Sequence, residues 1–166
     1  MKRIYLFLLI SLISGSIYAQ PGEAAAPYTK TKNFPPIKLL LPDSVSVFTR
    51  ENLQKDKSVL LILFSPMCEH CKHETEEMLQ HMDEFSKTHI LMVTSLPFDS
   101  MLTFRDHYQL QNYSNITVAH DPHFFLIPYF QLHNMPFMAF YNKKKQLISV
   151  HEGSWPIENV IAELKK

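Results

Sequence analysis

An uninterrupted apolar run at Val59–Phe64 is followed, after three intervening residues, by the first of two cysteines at positions 68 and 71. Such a run is typical of a strand buried on both faces, as in a sheet covered by helices. Cys68 then opens a predicted helix, because Cys71, Thr75 and Met78 fall at helical spacing. This feature constrains the fold most strongly, since a buried strand must deliver a cysteine pair to the first turn of a helix.

The remaining pattern predicts an α/β domain whose central mixed sheet is flanked by helices on both faces. Asp99 or Ser100 is expected to cap a helix that runs through Tyr108, and Ser154 is the candidate cap of a C-terminal helix. Pro128 is expected to interrupt any helix near it. The other predicted strands are Ile37–Leu41, Val45–Thr49, Ile90–Val93, Ile116–Ala119, Phe137–Tyr141 and Leu147–Val150.

The N-terminus resembles a secretory signal peptide. Lys2 and Arg3 precede an apolar run over Ile4–Ile13, and Ala19 is the expected last residue before cleavage. The run is short for a membrane span, although an uncleaved membrane anchor is the alternative. The predicted organisation is a signal peptide over 1–19, a flexible linker over 20–33 and one domain over 34–166. An exported, periplasmic location with no stable membrane span follows.

Charge excludes one large class of partner. The chain has 16 basic and 16 acidic residues, and cleavage would remove two basic ones. The mature chain would therefore carry a net charge of about −2, with no basic patch for nucleic-acid binding.

The two cysteines point to chemistry rather than to structural cross-linking. An exported protein meets an oxidising compartment, in which thiols tend to form disulfides. A bridge between positions 68 and 71 closes a very short loop, so it would constrain little of the unfolded chain.

The predicted position of the pair suits thiol–disulfide exchange. Cys68 at a helix N-terminus lies where free N–H groups and the helix dipole favour a thiolate, which is the attacking species. Cys71, one turn further in, can attack the resulting mixed disulfide and release the partner. His70 would stabilise the Cys68 thiolate, whereas the charge of Glu69 would oppose it unless Glu69 points to solvent.

Three alternatives use the same residues. A copper or zinc carrier would need a third ligand beside Cys68 and Cys71, such as His70 or His73, although a second cysteine pair is absent. A peroxidase-type redoxin would need a Pro-x-x-x-Thr-x-x-Cys pattern, which does not precede Cys68. A non-catalytic binding module is the third possibility, and the intact cysteine pair argues against it.

The chain resembles the thioredoxin superfamily, and within it the exported TlpA/ResA-like branch, over residues 34–166. The resemblance rests on Leu60–Cys71 as strand and active-site motif, and on Glu74, where several members carry a carboxylate. It rests also on Phe130–Pro136, which occupies the place of a segment ending in a cis-proline, and on Gly153. Gly153 is the only glycine in the predicted domain, so its backbone is expected to adopt an unusual conformation.

The resemblance implies an enzyme that exchanges disulfides with cysteine pairs of envelope proteins, as a reductase, with no organic cofactor and no metal. A membrane thiol carrier would supply electrons. The implied redox-active disulfide joins Cys68, the nucleophile, to Cys71. The expected tuning residues are His70, Glu69 and Glu74, and the expected substrate groove comprises Pro66, Met67, Met135 and Pro136, with Phe64 and Pro66 as walls.

Several positions depart from the family pattern. The glycines that precede the cis-proline are Gln131 and Asn134 here, and the aromatic residue before the first cysteine is Met67. A buried acid that thioredoxin carries six residues before that cysteine is Ile62 here. The His before the second cysteine resembles the oxidant DsbA, so these residues leave the direction of electron flow open.

Overall fold

The computed structural model describes residues 25–166, so the predicted signal peptide and the start of the predicted linker lie outside the described residues. The strands are β1 Lys38–Leu40, β2 Val47–Thr49, β3 Ser58–Leu63, β4 Thr88–Thr94, β5 Ile116–His120, β6 Phe137–Tyr141 and β7 Leu147–Glu152. The helices are α1 Pro27–Lys30, α2 Glu69–Gln80, α3 Phe98–His107, α4 Leu126–Phe130 and α5 Ile157–Leu164. Short 3₁₀ turns occupy Arg50–Asn52, Met82–Phe85 and Leu110–Asn112.

The seven strands form one mixed sheet in the order β2-β1-β5-β4-β3-β6-β7. Strands β3, β4 and β5 are parallel, while β6 and β7 complete one side as an antiparallel pair. Strands β1 and β2 form an antiparallel pair on the other side, next to β5. The predicted central mixed sheet is confirmed.

Residues Val59–Leu63 of strand β3 are all apolar because both faces of the strand are covered. Its odd-numbered side chains, such as Leu61, pack into one hydrophobic core with α4 and the segment before β1. Its even-numbered side chains, such as Leu60 and Ile62, pack into a second core with α2, α3 and α5. Because side chains alternate between the two faces of a strand, a strand covered on both sides must be apolar at every position.

Helix starts were predicted less well than strands. Helix α3 begins at Phe98 after Pro97, and α5 begins at Ile157 after Pro156. Neither helix has a side-chain cap at its N-terminus. The predicted caps at Asp99, Ser100 and Ser154 were therefore wrong. In both cases the apolar first residue packs into the core, and this contact fixes where the helix starts.

Helix α4 forms across Pro128, where an interruption was predicted. Pro128 is the third residue of this five-residue helix. A helix leaves its first N–H groups without intrahelical partners, so proline sacrifices no hydrogen bond at that position.

The last part of the predicted linker is ordered against the domain. Ala26 is buried, and the Tyr28 ring lies 5.4 Å from the ring of Phe130. The Lys32 carbonyl accepts a hydrogen bond from the backbone N–H of Leu147 at 2.6 Å. Residues 26–33 therefore contact the domain at helix α4 and at the start of β7.

The strand directions place three connections at one edge of the sheet. Strands β3, β4 and β5 are parallel, so the segments after Leu63, Thr94 and His120 leave from the same edge. Antiparallel pairing of Leu63 with Phe137 brings the start of β6 to this edge as well. The cysteine motif and the segment before β6 consequently meet. Within residues 25–166, no helix has the length and apolar character that crossing a membrane requires.

Candidate active site

Cys68 occupies the N-cap position of α2, immediately before the first helical residue. Its sulfur accepts a hydrogen bond from the backbone N–H of Cys71 at 3.4 Å, as a capping side chain does. The side chain is partly exposed. The free N–H groups and the dipole of the helix point at this sulfur, which favours a negative charge on it.

Cys71 lies directly below, on the face of α2 that packs against the sheet, and is 1% exposed. Burial raises the pKa of its thiol to about 12, and the neighbouring Cys68 and the charge of Glu74 act in the same direction. A hydrogen bond from the backbone N–H of Ser65, at 3.5 Å, partly opposes this rise of the pKa. The pair is therefore asymmetric, with an accessible outer sulfur and a protonated inner one.

The two residues between the cysteines face solvent. The side chain of Glu69 is 83% exposed and pairs with Lys72 at 2.7 Å. The side chain of His70 is also exposed. Because Glu69 points to solvent and has a cationic partner, its charge opposes a Cys68 thiolate only weakly.

Glu74 is a buried carboxylate, one turn after Cys71 and 5% exposed. Its Oε2 accepts a hydrogen bond from the backbone N–H of Trp155 at 3.1 Å. Burial raises the pKa of Glu74, and the Trp155 hydrogen bond acts against that rise. The Glu74 side chain therefore lies on the buried face of α2, the same face as Cys71.

The segment before β6 lies against the outer cysteine. The Cys68 thiol contacts the Met135 carbonyl oxygen at 3.7 Å, and the Met135–Pro136 peptide is cis. Pro136 is buried, and its carbonyl accepts a hydrogen bond from Gly153 N–H at 2.8 Å. Gly153 has φ of +85°, which confirms the unusual backbone conformation expected of it.

A groove of about 460 Å³ opens on the other side of Cys68, between α2 and α3. Pro66 and Met67 line it, and Met67 is 76% exposed. Phe64, expected as a wall of the site, is instead wholly buried. Its ring packs at a tilt against that of Phe104, with the two ring centroids 4.6 Å apart. It follows β3 directly, so its side chain continues the core rather than the surface.

The alternative of a copper or zinc carrier requires a third metal ligand beside Cys68 and Cys71. Among residues 25–166, no group of three or more His, Cys, Asp and Glu side chains is arranged to hold a metal ion. His70 and His73 are both exposed on α2, whereas Cys71 points into the core.

Two residues that the sequence pattern does not mark, Trp155 and Glu152, also contact the site. The Trp155 N–H is the hydrogen-bond donor to Glu74, and the Glu152 carboxylate accepts from the chain just before Met135. Neither position carries a signal in the sequence, since both contacts join residues far apart in the chain.

Solved structures of known proteins share the fold of this chain. No protein-family model matches the chain, and no curated protein sequence matches it either. A thioredoxin candidate from Neisseria meningitidis superposes with a TM-score of 0.67 at 18% identity, covering 81% of this chain and 89% of that one.

Two further structures are similar at comparable identity. A secreted Mycobacterium tuberculosis disulfide oxidoreductase gives a TM-score of 0.65 at 14% identity, covering 78% of this chain and 95% of that one. The exposed lipoprotein thioredoxin Etrx1 of Streptococcus pneumoniae gives 0.60 at 22% identity, covering 78% and 97%. The chain therefore has a thioredoxin-like fold.

Proposed function

We propose that the protein is an exported thiol–disulfide oxidoreductase that reduces disulfides in envelope proteins. The observation that carries this proposal is the asymmetry of the cysteine pair. Cys68 is accessible at the N-cap of α2, and Cys71 is buried beneath it with its N–H donated to the outer sulfur. The thioredoxin-like fold and the disulfide oxidoreductase among similar structures support the same class.

In the first step the Cys68 thiolate attacks one sulfur of a partner disulfide. A new bond forms between Cys68 and that sulfur, the partner S–S bond breaks, and the other partner sulfur leaves as a thiolate that takes a proton from solvent. The helix N-terminus supports the attacking charge. Because Cys71 is protonated and buried, it does not compete as the first nucleophile.

In the second step Cys71 loses its proton and attacks the Cys68 sulfur. The Cys68–Cys71 disulfide forms, the mixed disulfide breaks, and the second partner sulfur leaves as a thiolate that takes a proton from solvent, so two electrons have moved to the partner. Glu74 is the proposed acceptor of the Cys71 proton, because it is a buried carboxylate one turn away whose pKa is raised.

The cycle closes when an external thiol reduces Cys68–Cys71, and the proposed donor is a membrane thiol carrier. The proposed location is the periplasm or another exported site, after cleavage following Ala19. The similar structures include one secreted protein and one exposed lipoprotein, which supports export. Mass spectrometry of the protein expressed with its N-terminus intact should find a chain that starts at Gln20, whereas the full-length chain in membranes would indicate an uncleaved anchor.

The test of the function is a redox titration of Cys68 and Cys71 in thiol–disulfide buffers, read by alkylation. A reversible two-electron couple near about −250 mV or lower is expected for a reductase. A value near about −130 mV would reverse the direction to that of an oxidant. Absence of a reversible couple, or stoichiometric metal that blocks alkylation, would overturn the oxidoreductase proposal in favour of a metal carrier.

Partner capture provides a second test of the two roles. The C71S variant should accumulate mixed disulfides with envelope proteins, because the attack by Cys68 proceeds and release does not. The C68S variant is the matched control and should capture none, since Cys71 is buried. Equal capture by both variants would contradict the assignment of Cys68 as nucleophile.

A further inference from the structure

Two neighbouring residues at the end of β7 hold the chain on both sides of Met135. The Glu152 carboxylate accepts hydrogen bonds from the residues before Met135, and the Gly153 N–H donates to the Pro136 carbonyl after it. The register places Glu152 directly opposite Phe137, the first residue of β6. Met135, which contacts the Cys68 thiol, is therefore held between two anchored points.

The contacts of Glu152 are unusually complete for one surface carboxylate. Its Oε2 accepts from the Asn134 backbone N–H at 3.0 Å and from the Asn134 side-chain amide at 3.3 Å. Its Oε1 accepts from the His133 backbone N–H at 3.4 Å, and the His133 ring nitrogen lies 3.6 Å away. The Glu152 side chain is 27% exposed, so these hydrogen bonds compete with water less than fully exposed ones would.

The segment between α4 and Met135 is held at two places. At its start, Gln131 is the C-cap residue of α4 with φ of +51°, and its backbone N–H donates to the carbonyls of Ile127 and Pro128. Nearer to Met135, the support comes from Glu152. The backbone N–H groups of His133 and Asn134 face one carboxylate, so a single side chain fixes the approach of the chain to Met135.

We infer that Glu152 is a positioning residue for substrate, which fixes the Met135 backbone so that it can pair with an extended partner segment around its disulfide. This inference rests on the proposed function. An extended segment that crosses Cys68 passes the Met135 backbone, because the Cys68 sulfur and the Met135 carbonyl are in contact. Main-chain pairing of this kind gives affinity only when the receiving backbone is already in place.

Two kinds of substrate should differ in their dependence on Glu152. A peptide disulfide offers an extended backbone to Met135, whereas a small disulfide such as hydroxyethyl disulfide offers only its sulfur atoms to Cys68. Loss of Glu152 should therefore slow reduction of the peptide and leave reduction of the small disulfide unchanged. A purely structural role would slow both reactions together.

The experiment measures kcat/KM of the E152Q and E152A variants with a disulfide-linked peptide and with hydroxyethyl disulfide. We expect the peptide value to fall about tenfold in E152A, through KM, and less in E152Q, which keeps one acceptor oxygen. The small-disulfide value should stay within about twofold in both. Glu158→Ala is the matched control, since Glu158 is an exposed glutamate at the start of α5.

The N134D variant is an independent test at an exposed position, where folding is not at risk. It replaces the amide donor that faces Glu152 with a carboxylate, so repulsion should displace the segment and lower the peptide value alone. Equal losses with both substrates, or no loss with either, in N134D and the Glu152 variants would overturn the inference. Failure of the wild-type protein to reduce hydroxyethyl disulfide would instead refute the proposed function.

Discussion

Replacement of Cys68 by alanine isolates the inner thiol and tests the asymmetry of the pair. Burial raises the pKa of Cys71 to about 12, against 9.0 for an ordinary thiol. At pH 8 a thiol with pKa of about 12 is ionised in about one molecule in 10,000, and an ordinary one in about one in ten. The thiolate population of Cys71 is therefore about 1,000-fold lower.

The reaction rate falls less than the thiolate population, because a thiolate with a higher pKa is a better nucleophile. With a Brønsted slope of about 0.45, a thiolate whose pKa is about three units higher is about 20-fold more nucleophilic. The net reaction rate of Cys71 is therefore about 50-fold lower than that of an ordinary thiol. The 1% exposure of Cys71 adds a steric barrier to this deficit. Folded C68A should therefore react with an alkylating reagent at least about 50-fold more slowly than the same chain unfolded in guanidinium chloride.

The assay follows iodoacetamide incorporation by mass spectrometry at pH 8, for folded and unfolded C68A. The C71A variant is the matched control, and its partly exposed Cys68 should react readily in the folded protein. Cys68 makes a smaller contribution than burial to the raised pKa of Cys71, and the C68A variant loses that contribution. The threshold for refutation is therefore a rate difference of about tenfold, below the expected difference of about 50-fold. A folded rate within tenfold of the unfolded rate would show that Cys71 is neither buried nor held protonated.

Further perturbations test the fold and its electrostatics by urea unfolding. Leu61→Ala should lower the free energy of unfolding by about 2–5 kcal/mol, because Leu61 is fully buried. Val45→Ala, at an 80% exposed position, is the control and should change that free energy by less than about 0.5 kcal/mol. Similar losses in the two variants would contradict the assigned core. Gly153→Ala should cost about 1–2 kcal/mol through its φ of +85°, and a neutral result would argue against that conformation. Burial lowers the pKa of His89 to about 4 from 6.5, so stability present above pH 6.5 should be lost towards pH 4. His89→Gln should flatten that decline, and an unchanged pH dependence would contradict the burial of a neutral imidazole.

The strands were predictable because their signal is local. The alternation and continuity of apolar residues are set within a few positions, and the five residues Val59–Leu63 of β3 are all apolar because both faces of the strand are covered. Helix starts were less predictable, as α3 shows. The local pattern offered Asp99 as a cap, but the helix starts at Phe98, which packs against the core, so the N-cap residue is Pro97, two residues earlier.

The candidate site also combines local features, which the sequence predicted, with contacts between distant residues, which it did not. The spacing of Cys68 and Cys71 after a buried strand was enough to predict an N-terminal cysteine on a helix and a second one beneath it. Glu74 was a site candidate by resemblance, yet its hydrogen-bond donor is the backbone N–H of Trp155, which is 81 residues away in the chain. The role proposed for Glu152 likewise depends on register between β6 and β7.

The sequence by itself determined the positions of the apolar strands along the chain, the position of the cysteine pair on its helix and the need for a special backbone at Gly153. These properties follow from chemistry and periodicity within short windows of chain. Only the tertiary structure decided that the thiol of Cys71 is held protonated, that Glu74 is buried and that Glu152 fixes the backbone beside Cys68. The free energy of a polar group depends on what packs around it, and those neighbours come from strands and helices that are distant in sequence.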